Sequence, residues 1–413
     1  MIATKITTSQ HLIELEEQHG AHNYHPLPVV LSRGEGVFVW DVEGKKYYDF
    51  LSAYSAINQG HGHPKIINAL INQAQKLTLT SRAFYNDVLG VYEKYTTNFF
   101  GFDKLLPMNT GAEAVETAIK LTRKWAYEKK GINENKAQIV VCKNNFHGRT
   151  TTIVSFSSDT NASKNFGPFT PGFIIIPYND VEALEKVLSE NKNIAGFLVE
   201  PIQGEAGVYV PNEGYLAATK KICEKYNVLF IADEVQTGIA RTGKLLAVDH
   251  ENVKPDVLIL GKALSGGVYP VSAVLANNDI MSVIKPGQHG STYGGNPIAA
   301  AVAIAALEVV AEEDLANKAE QLGIIFRNEL SDLSKQTNLV KLVRGKGLLN
   351  AIVINDTEDS DTAWKICLKL RDNGLLAKPT HGNIIRFAPP LVMNEEQLMD
   401  CISIIKKTIL EFK

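Results

Sequence analysis

A single lysine, Lys262, interrupts the otherwise apolar stretch 258-LILGKALSGGVYPVSAV-274. A lone lysine at the end of a strand usually extends its amine to water. In an apolar setting, however, a lysine loses its proton more readily and becomes a nucleophile for carbonyl groups. The small residues that follow Lys262 leave room for a flat cofactor. The stretch therefore favours Schiff-base chemistry at this lysine.

A carboxylate, Asp233, ends the apolar strand predicted in 228-VLFIADEVQTG-238. Ligands of open α/β sheets lie at the carboxyl ends of the strands, so this acid should face the cleft. A carboxylate against the ring nitrogen of pyridoxal phosphate keeps that nitrogen protonated and makes the ring an electron sink. A strand-end acid that only caps the next turn is the alternative. Together with Lys262, Asp233 favours pyridoxal phosphate as the cofactor.

Two segments could bind the phosphate of such a cofactor. Gly111 and Ala112 begin the helix predicted in 108-MNTGAEAVETAIK-120, with Thr110 as its N-cap, and helix N-termini bind anions. The loop 289-HGSTYGGNP-297 offers hydroxyls and glycines. Helix caps and glycine-rich turns are also common without any ligand. Each signal is therefore weak alone.

Other motifs fit other chemistries less well. The segment 238-GIARTGKL-245 has the spacing of a phosphate loop, but Leu245 stands where Ser or Thr would hold magnesium. No G-x-G-x-x-G occurs, which argues against a dinucleotide-binding oxidoreductase. In 60-GHGHP-64, His61 and His63 could be metal ligands. Without a third ligand nearby, a turn before a helix is the favoured interpretation.

The elements that must position these residues alternate through the centre of the chain. Helical periodicity over 112–129 and 215–227 alternates with apolar strands at 138–142 and 228–232. This pattern predicts an α/β fold with a mainly parallel sheet covered by helices on both faces. The two ends of the chain instead contain a hairpin over 37–50, strands at 347–354 and 384–388, and a terminal helix after Asn394. We expect a large cofactor-binding α/β domain over 56–307 and a smaller α+β domain built from 1–55 and 308–413.

Composition limits the partners and the compartment. The 413 residues are 45% hydrophobic and 21% charged with a net charge of −3, which gives no basic excess for nucleic acid or anionic lipid. The longest apolar stretch, 298–307, is too short to span a bilayer. Four cysteines without metal-type spacing fit a reducing compartment. The only early cation is Lys5, and acids follow soon after it, so we expect no targeting leader and a cytoplasmic protein acting on small molecules.

From about Gly20 to Phe412 the chain resembles the class III, fold type I aminotransferases, which use pyridoxal phosphate and act on ω-amino acids. The segments that carry the resemblance are 21-AHNYHPLPVV-30, 51-LSAYSAINQGHGHP-64, 146-FHGRT-150, 198-LVEPIQGEAG-207, 230-FIADEVQTG-238, 261-GKALSGG-267, 290-GSTYGGNP-297 and 380-THGNIIRFAPP-390. The resemblance implies a homodimer with active sites at the interface. It also implies that Lys262 binds the cofactor covalently and later moves the proton, while Asp233 holds the ring nitrogen. The further cofactor contacts that it implies are Gln236 at the ring hydroxyl, Phe146 stacked on the ring, the backbone of Gly111 and Ala112 at the phosphate, and Thr292 of the partner subunit.

The resemblance is greatest to the members that transfer the δ-amino group of ornithine to 2-oxoglutarate in a ping-pong reaction. It implies that Arg149 binds a substrate carboxylate, and that Glu205 pairs with Arg386 while ornithine is bound. Tyr24 and Tyr54 favour ornithine, although each could simply pack in the core. N-acetylornithine and 4-aminobutyrate stay open as alternative substrates, because the core motifs are shared. Position 147 is His where animal members carry Trp, and we treat this departure as neutral, since a side chain beside a stacking Phe need not face the substrate.

Overall fold

A computed structural model describes residues 8–412 of the protein. Residues 1–7 and residue 413 lie outside the described part, so the expectation drawn from Lys5 falls there. Within residues 8–412, no helix is both long enough and apolar enough to cross a membrane.

The largest sheet has seven strands, in the order β4-β10-β9-β8-β7-β5-β6. The strands from β9 to β6 are parallel, whereas β10 is antiparallel to both β4 and β9. The four strands β7 to β10 are buried along their whole length, as expected for a sheet covered on both faces. The predicted mainly parallel α/β sheet is confirmed. Its strands are β4 (Lys104–Met108), β5 (Gln138–Cys142), β6 (Phe173–Ile176), β7 (Ile194–Val199), β8 (Leu229–Asp233), β9 (Val257–Leu260) and β10 (Ser272–Ala276).

Two four-stranded sheets come from the ends of the chain. One has the order β1-β2-β3-β13 and contains the predicted hairpin, in which Gly44 adopts a φ of 86° at the turn. The other has the order β11-β12-β15-β14 and is antiparallel throughout. These strands are β1 (Leu31–Glu35), β2 (Phe38–Asp41), β3 (Lys46–Asp49), β11 (Val340–Lys346), β12 (Leu349–Ile354), β13 (Leu375–Leu376), β14 (Lys378–Thr380) and β15 (Ile384–Phe387).

The helices pack against these sheets, and their sequence signals agree with their bounds. The terminal helix α14 begins with the predicted Asn394 cap, and Gln397 completes a capping box. Helix α11 is mostly buried. It crosses the boundary expected at 307/308 between the large and the small domain, so that division into two domains stays a prediction. The helices are α1 (Ser9–His19), α2 (Ser52–Ser55), α3 (Pro64–Lys76), α4 (Leu89–Phe100), α5 (Gly111–Trp125), α6 (Thr151–Val154), α7 (Thr160–Ser163), α8 (Val181–Glu190), α9 (Tyr215–Lys225), α10 (Asn278–Met281), α11 (Pro297–Glu312), α12 (Leu315–Ser334), α13 (Thr362–Asp372) and α14 (Glu395–Leu410).

The strand directions bring the chemically interesting residues to one edge of the large sheet. Since β4 and β9 are both antiparallel to β10, the strand β4 points the same way as the parallel strands. The carboxyl ends of β4, β9, β8, β7 and β5 therefore lie at the same edge, where ligands of α/β sheets bind.

Candidate active site

A cavity of about 190 Å³ lies at this edge of the large sheet. The six residues that the sequence predicts for the cofactor within one subunit all line it: Gly111, Ala112, Phe146, Asp233, Gln236 and Lys262. Each of them follows or ends one of the strands named above, or begins the helix after β4. The strand order thus explains why residues far apart in sequence meet in one place.

Lys262 is separated from β9 by Gly261 alone and begins a single 3-10 turn, Lys262–Ser265. Its φ of 43° is left-handed, which is costly for a residue with a side chain and is often found at functional sites. Burial lowers the pKa of Lys262 to about 8, and the charge of Arg386 adds to this effect, while Asp233 and Glu205 oppose it. The amine is therefore neutral far more often near neutral pH than an exposed lysine.

Asp233, the last residue of β8, is buried and held by two contacts. Its Oδ1 accepts the backbone N–H of Val235 at 3.1 Å, and its Oδ2 lies 2.6 Å from Nδ1 of His147. Burial lowers the pKa of His147, but the hydrogen bond and charge of Asp233, aided by Glu200, outweigh it and raise that pKa. The two contacts hold the carboxyl group of Asp233 in one orientation within the cavity.

The expectation that the residue at position 147 makes no difference to the site therefore needs correction. His147 is buried, lines the cavity and contacts Asp233 directly. Among the described residues, its Nε2 has no hydrogen-bond partner. The residue lies in a loop after β5, where neither periodicity nor strand-end position signals its orientation.

A second residue that the sequence analysis missed is Glu200, which follows β7. It is buried, and burial raises its pKa to about 7. One oxygen accepts the N–H of Phe146 at 2.8 Å and the other accepts the N–H of Gly204 at 3.4 Å. Glu200 thus connects the loop of the stacking residue Phe146 to the loop that carries Glu205.

The start of α5 offers an anion site. Thr110 and Glu113 form a capping box, in which the Thr110 side chain accepts the N–H of Glu113 and Glu113 accepts the N–H of Thr110. Among residues 8–412, no acceptor is recorded for the N–H groups of Gly111 and Ala112. Two unpaired donors at a helix N-terminus are suited to a phosphate.

A larger cavity of about 690 Å³ adjoins the first and contains the predicted substrate residues Arg149 and Glu205. Arg386, on β15, is buried and lies 3.0 Å from a carboxylate oxygen of Glu205. Burial opposes ionisation of Glu205, but the charge and hydrogen bond of Arg386 outweigh it and lower the pKa of Glu205. The ring centroid of Tyr54 lies 5.1 Å from the guanidinium carbon of Arg386. The predicted Glu205–Arg386 pair is present.

Tyr24 and Thr292 lie outside this cluster of contacts. Tyr24 is 68% exposed, yet it is close enough to affect Tyr54. Burial is the main cause that raises the pKa of Tyr54, and the charge of Glu205 and the nearby Tyr24 add to it, while Arg386 acts in the opposite direction. Thr292 is exposed and does not line the first cavity. Its loop is fixed to the protein by a 2.9 Å hydrogen bond between Asn109 and Ser291. The role of Thr292 stays a prediction.

The cluster of Lys262, Asp233 and two unpaired helix N–H groups, at the edge of a mainly parallel sheet, defines a transferase of the pyridoxal-phosphate type. The family model for class III aminotransferases matches residues 19–409, and the chain belongs to this family.

Several known proteins are similar to this chain along almost its whole length. It is 65% identical over 395 residues to the mitochondrial ornithine aminotransferase of Drosophila melanogaster, which covers 96% of this chain and 90% of that protein. Identity to the mitochondrial ornithine aminotransferase of Rattus norvegicus is 61%, over 100% of this chain and 94% of that protein. A solved ornithine aminotransferase from Toxoplasma gondii, described with partial occupancy of PLP at its active site, superposes with a TM-score of 0.97 at 49% identity, covering 99% of this chain and 95% of that one. A solved acetylornithine aminotransferase from Elizabethkingia anophelis is 69% identical, with a TM-score of 0.91 and coverage of 98% and 100%.

The residues around the first cavity fit pyridoxal phosphate, the cofactor of this family. The N–H groups of Gly111 and Ala112 have no acceptor among the residues that the structure describes, and a buried carboxyl group lies at Asp233. A Cβ on Gly111 would come within 3.0 Å of Val235, so glycine keeps the space beside this wall of the cavity open. The partly buried amine of Lys262 supplies the nucleophile that a cofactor aldehyde requires.

Proposed function

We propose that the protein is an ornithine aminotransferase, which transfers the δ-amino group of L-ornithine to 2-oxoglutarate and forms L-glutamate 5-semialdehyde and L-glutamate. The observation that carries this proposal is the Glu205–Arg386 pair beside the Lys262 cavity, with the ring of Tyr54 against the same arginine. An arginine that is masked in one half-reaction and free in the other is what a diamine donor and a dicarboxylate acceptor require.

The chemistry begins at Lys262. Pyridoxal phosphate, when bound, supplies a carbonyl for the substrate amine and a ring that accepts electrons from the adjacent C–H bond. Because its pKa is lowered to about 8, the Lys262 amine can act as the nucleophile that holds the cofactor and, once released, as the base that takes a proton from the δ-carbon of ornithine. Asp233, held by His147, would place its carboxyl group against the ring nitrogen.

Other residues of the first cavity orient the cofactor. The N–H groups of Gly111 and Ala112 would bind the phosphate, Phe146 would stack on the ring, and Gln236 would donate to the ring hydroxyl. The side-chain oxygen of Gln236 lies 3.3 Å from Arg386, which leaves its amide nitrogen for that contact. Gln236 thereby links the cofactor pocket to the residues that select the substrate.

The two arginines explain how one site accepts two dissimilar substrates. Ornithine must present its δ-amine to the cofactor, so its α-carboxylate lies far from the reaction centre and binds to Arg149. Glutamate and 2-oxoglutarate must present their α-carbon, so they need Arg386 at the α-carboxylate and Arg149 at the distal one, each as a bidentate clamp. Glu205 neutralises Arg386 while ornithine is bound. Tyr24 and Tyr54 hold the α-amino end of ornithine.

We also propose that the protein works as a homodimer in the cytoplasm. Thr292 is exposed on a fixed loop and does not line the cavity of its own subunit, which suits a phosphate ligand given to the neighbouring site. All four cysteines are buried and unpaired, which suits a reducing compartment. Light scattering and cell fractionation test these two statements.

A second candidate, acetylornithine aminotransferase, is favoured by one observation: the similar Elizabethkingia anophelis structure carries that name. N-acetylation removes the positive charge of the α-amino group, so an enzyme for the acetylated substrate would have no α-ammonium group to hold at Tyr24 and Tyr54. The Tyr24 and Tyr54 pair argues for the free diamine.

An absorbance experiment tests the function directly. The purified protein with pyridoxal phosphate should show a visible band, and L-ornithine without any keto acid should convert it to a near-ultraviolet band. A visible band that responds only to N-acetylornithine or 4-aminobutyrate would refute ornithine as the substrate. Parallel initial-rate lines with 2-oxoglutarate are expected for the ping-pong reaction, and intersecting lines would contradict it.

A further inference from the structure

The short element α2 (Ser52–Ser55), which carries Tyr54, is a single turn with an unusual backbone. Four consecutive residues, Ser52 to Ser55, have φ values of 47°, 46°, 61° and 72°, and none of them is glycine. Side-chain-bearing residues avoid this left-handed conformation, and a run of them persists only where the surroundings enforce it. Tyr54 lies in the middle of this turn and its ring faces Arg386. Whatever enforces the left-handed turn therefore also sets the position of Tyr54.

The side chain that holds the turn is Asp49, the last residue of β3. Its Oδ1 accepts the N–H groups of both Leu51 and Ser52 at 2.9 Å. The hydroxyls of Ser52 and Ser55 are buried and have no partner among the described residues, so they do not stabilise the turn. Asp49 is itself buried, which strengthens its hydrogen bonds to these two N–H groups.

The other oxygen of Asp49 is held by His61, from the segment 60-GHGHP-64. The distance between His61 Nε2 and Asp49 Oδ2 is 2.8 Å. His61 is fixed by two backbone hydrogen bonds with Gly36, at 2.9 and 2.8 Å. A Cβ on Gly34 would come within 2.6 Å of the imidazole, so the ring packs against β1 where only glycine leaves room. The chain of contacts thus runs from β1 through His61 and Asp49 to the turn.

His63, two residues further on, has a different role. Its Nε2 lies 2.9 Å from Glu313, just beyond the end of α11, and within residues 8–412 it makes no hydrogen bond to Asp49 or the turn. The two histidines therefore form two separate pairs with carboxylates, and only the pair of His61 leads to Tyr54.

We infer that Asp49 and His61 are positioning residues for substrate selection: they hold the left-handed turn so that Tyr54 lies against Arg386, without touching the substrate themselves. This inference rests on the proposed function, because Tyr54 and Arg386 select a substrate only if a diamino acid is the donor. Weakening the pair should loosen Tyr54 and impair the half-reaction with ornithine. The half-reaction with glutamate, which needs Arg386 free, should change little.

The experiment compares Asp49→Asn with the matched control His63→Gln, which breaks a similar histidine–carboxylate pair in the same segment. Both half-reactions are followed by stopped-flow absorbance of the holoenzyme, with ornithine or with glutamate. Asp49→Asn should raise the apparent KM for ornithine about tenfold with kcat nearly unchanged, the loss expected when charge-assisted hydrogen bonds are weakened. The control should match the wild type with both substrates. His61→Gln, which leaves both Asp49 Oδ1 bonds in place, should show a smaller shift in the same direction and serves if Asp49→Asn does not fold.

A double substitution separates positioning from general destabilisation. In a Tyr54→Ala background, Asp49→Asn should add no further increase in the KM for ornithine, because its effect passes through Tyr54. An undiminished effect in that background, or an equal loss with ornithine and glutamate, overturns the inference. A wild-type protein that does not react with ornithine refutes the proposed function and this inference with it. A reactive wild type with an unaffected Asp49→Asn variant refutes the inference alone.

Discussion

Replacing Glu205 by Gln should change the two half-reactions in opposite directions. The substitution keeps the shape of the side chain and removes its charge, so Arg386 loses its ionic partner at 3.0 Å. Removing one partner of a fully buried pair costs about 3–5 kcal/mol. The cost should be lower here, because the Glu205 side chain is 29% exposed and Arg386 keeps the oxygens of Gly204 and Gln236, each at 3.3 Å.

We therefore expect the arrangement in which Arg386 is paired with residue 205 to lose about 2 kcal/mol of stabilisation in the variant. This loss corresponds to a factor of about 30 between the wild-type and variant rates. With ornithine, the unmasked arginine leaves an uncompensated charge beside the α-amino end of the substrate, so kcat/KM should fall by up to this factor. With glutamate, Arg386 no longer has to leave Glu205 before it binds the α-carboxylate. The kcat/KM for glutamate should therefore stay constant or rise.

Single-turnover absorbance of the holoenzyme measures each half-reaction separately, without interference from the other substrate. Glu313→Gln is a suitable control, since it also removes a carboxylate from an observed pair, that with His63, but away from the cavity. A Glu205→Gln variant that loses activity equally with ornithine and glutamate would show that Glu205 supports the fold of the site rather than masking Arg386. No change with either substrate would refute the masking argument as well.

Three further predictions concern buried charged or ionisable groups. Cofactor binding to the apoprotein should accelerate with pH and level off above about 8, the pKa of Lys262. The reason is that roughly a tenth of this amine is neutral at pH 7, against less than a thousandth of an ordinary lysine. A binding rate that rises steadily to pH 10 would contradict this, and Lys262→Ala should abolish turnover. His147→Asn should lower kcat about tenfold in both half-reactions with little change in KM, since it removes the 2.6 Å hydrogen-bond partner of Asp233, and a variant with unchanged kcat would exclude such a role. Arg241→Met should lower the midpoint of urea unfolding. Arg241 is fully buried and donates to the side chain of Asn58 and to two backbone carbonyls, and these acceptors would lose their donor. An unchanged midpoint would show that the acceptors find other partners.

Asp233 and Lys262 could be predicted as site residues because their positions at strand ends support each other, whereas Phe146 and Gln236 were implied by the family resemblance alone. Asp233 and Lys262 each follow a short apolar run, and parallel strands place their carboxyl ends at one edge. The capping residues Thr110 and Asn394 were found in the same way, since N-caps have a local pattern that does not depend on tertiary structure.

The residues that were missed depend on loop geometry. His147 lies in a loop where no periodicity indicates the direction of its side chain, so only the folded structure shows that it meets Asp233. Glu200 directly follows the apolar strand β7 and therefore has the same strand-end signal as Asp233, although its contact with Phe146 is visible only in the structure. The left-handed turn at 52–55 contains no glycine and therefore carries no sequence signal for a positive φ. Arg241 belongs to a segment with phosphate-loop spacing, yet its hydrogen bonds to the described residues go to uncharged oxygens of Asn58, Leu348 and Pro389.

The residues that carry out the chemistry and the residues that select the substrate come from different parts of the chain. Lys262 and Asp233 belong to the large central sheet, whereas Arg386 lies on β15 and Tyr54 follows β3, both in sheets built from the ends of the chain. Glu205 connects the two groups, because it follows β7 of the central sheet and pairs with Arg386. Changes in the central group should therefore alter the rate with every amino donor by a similar factor. Changes in the end-derived group should alter the ratio between donors, since the residues that break the C–H bond keep their positions.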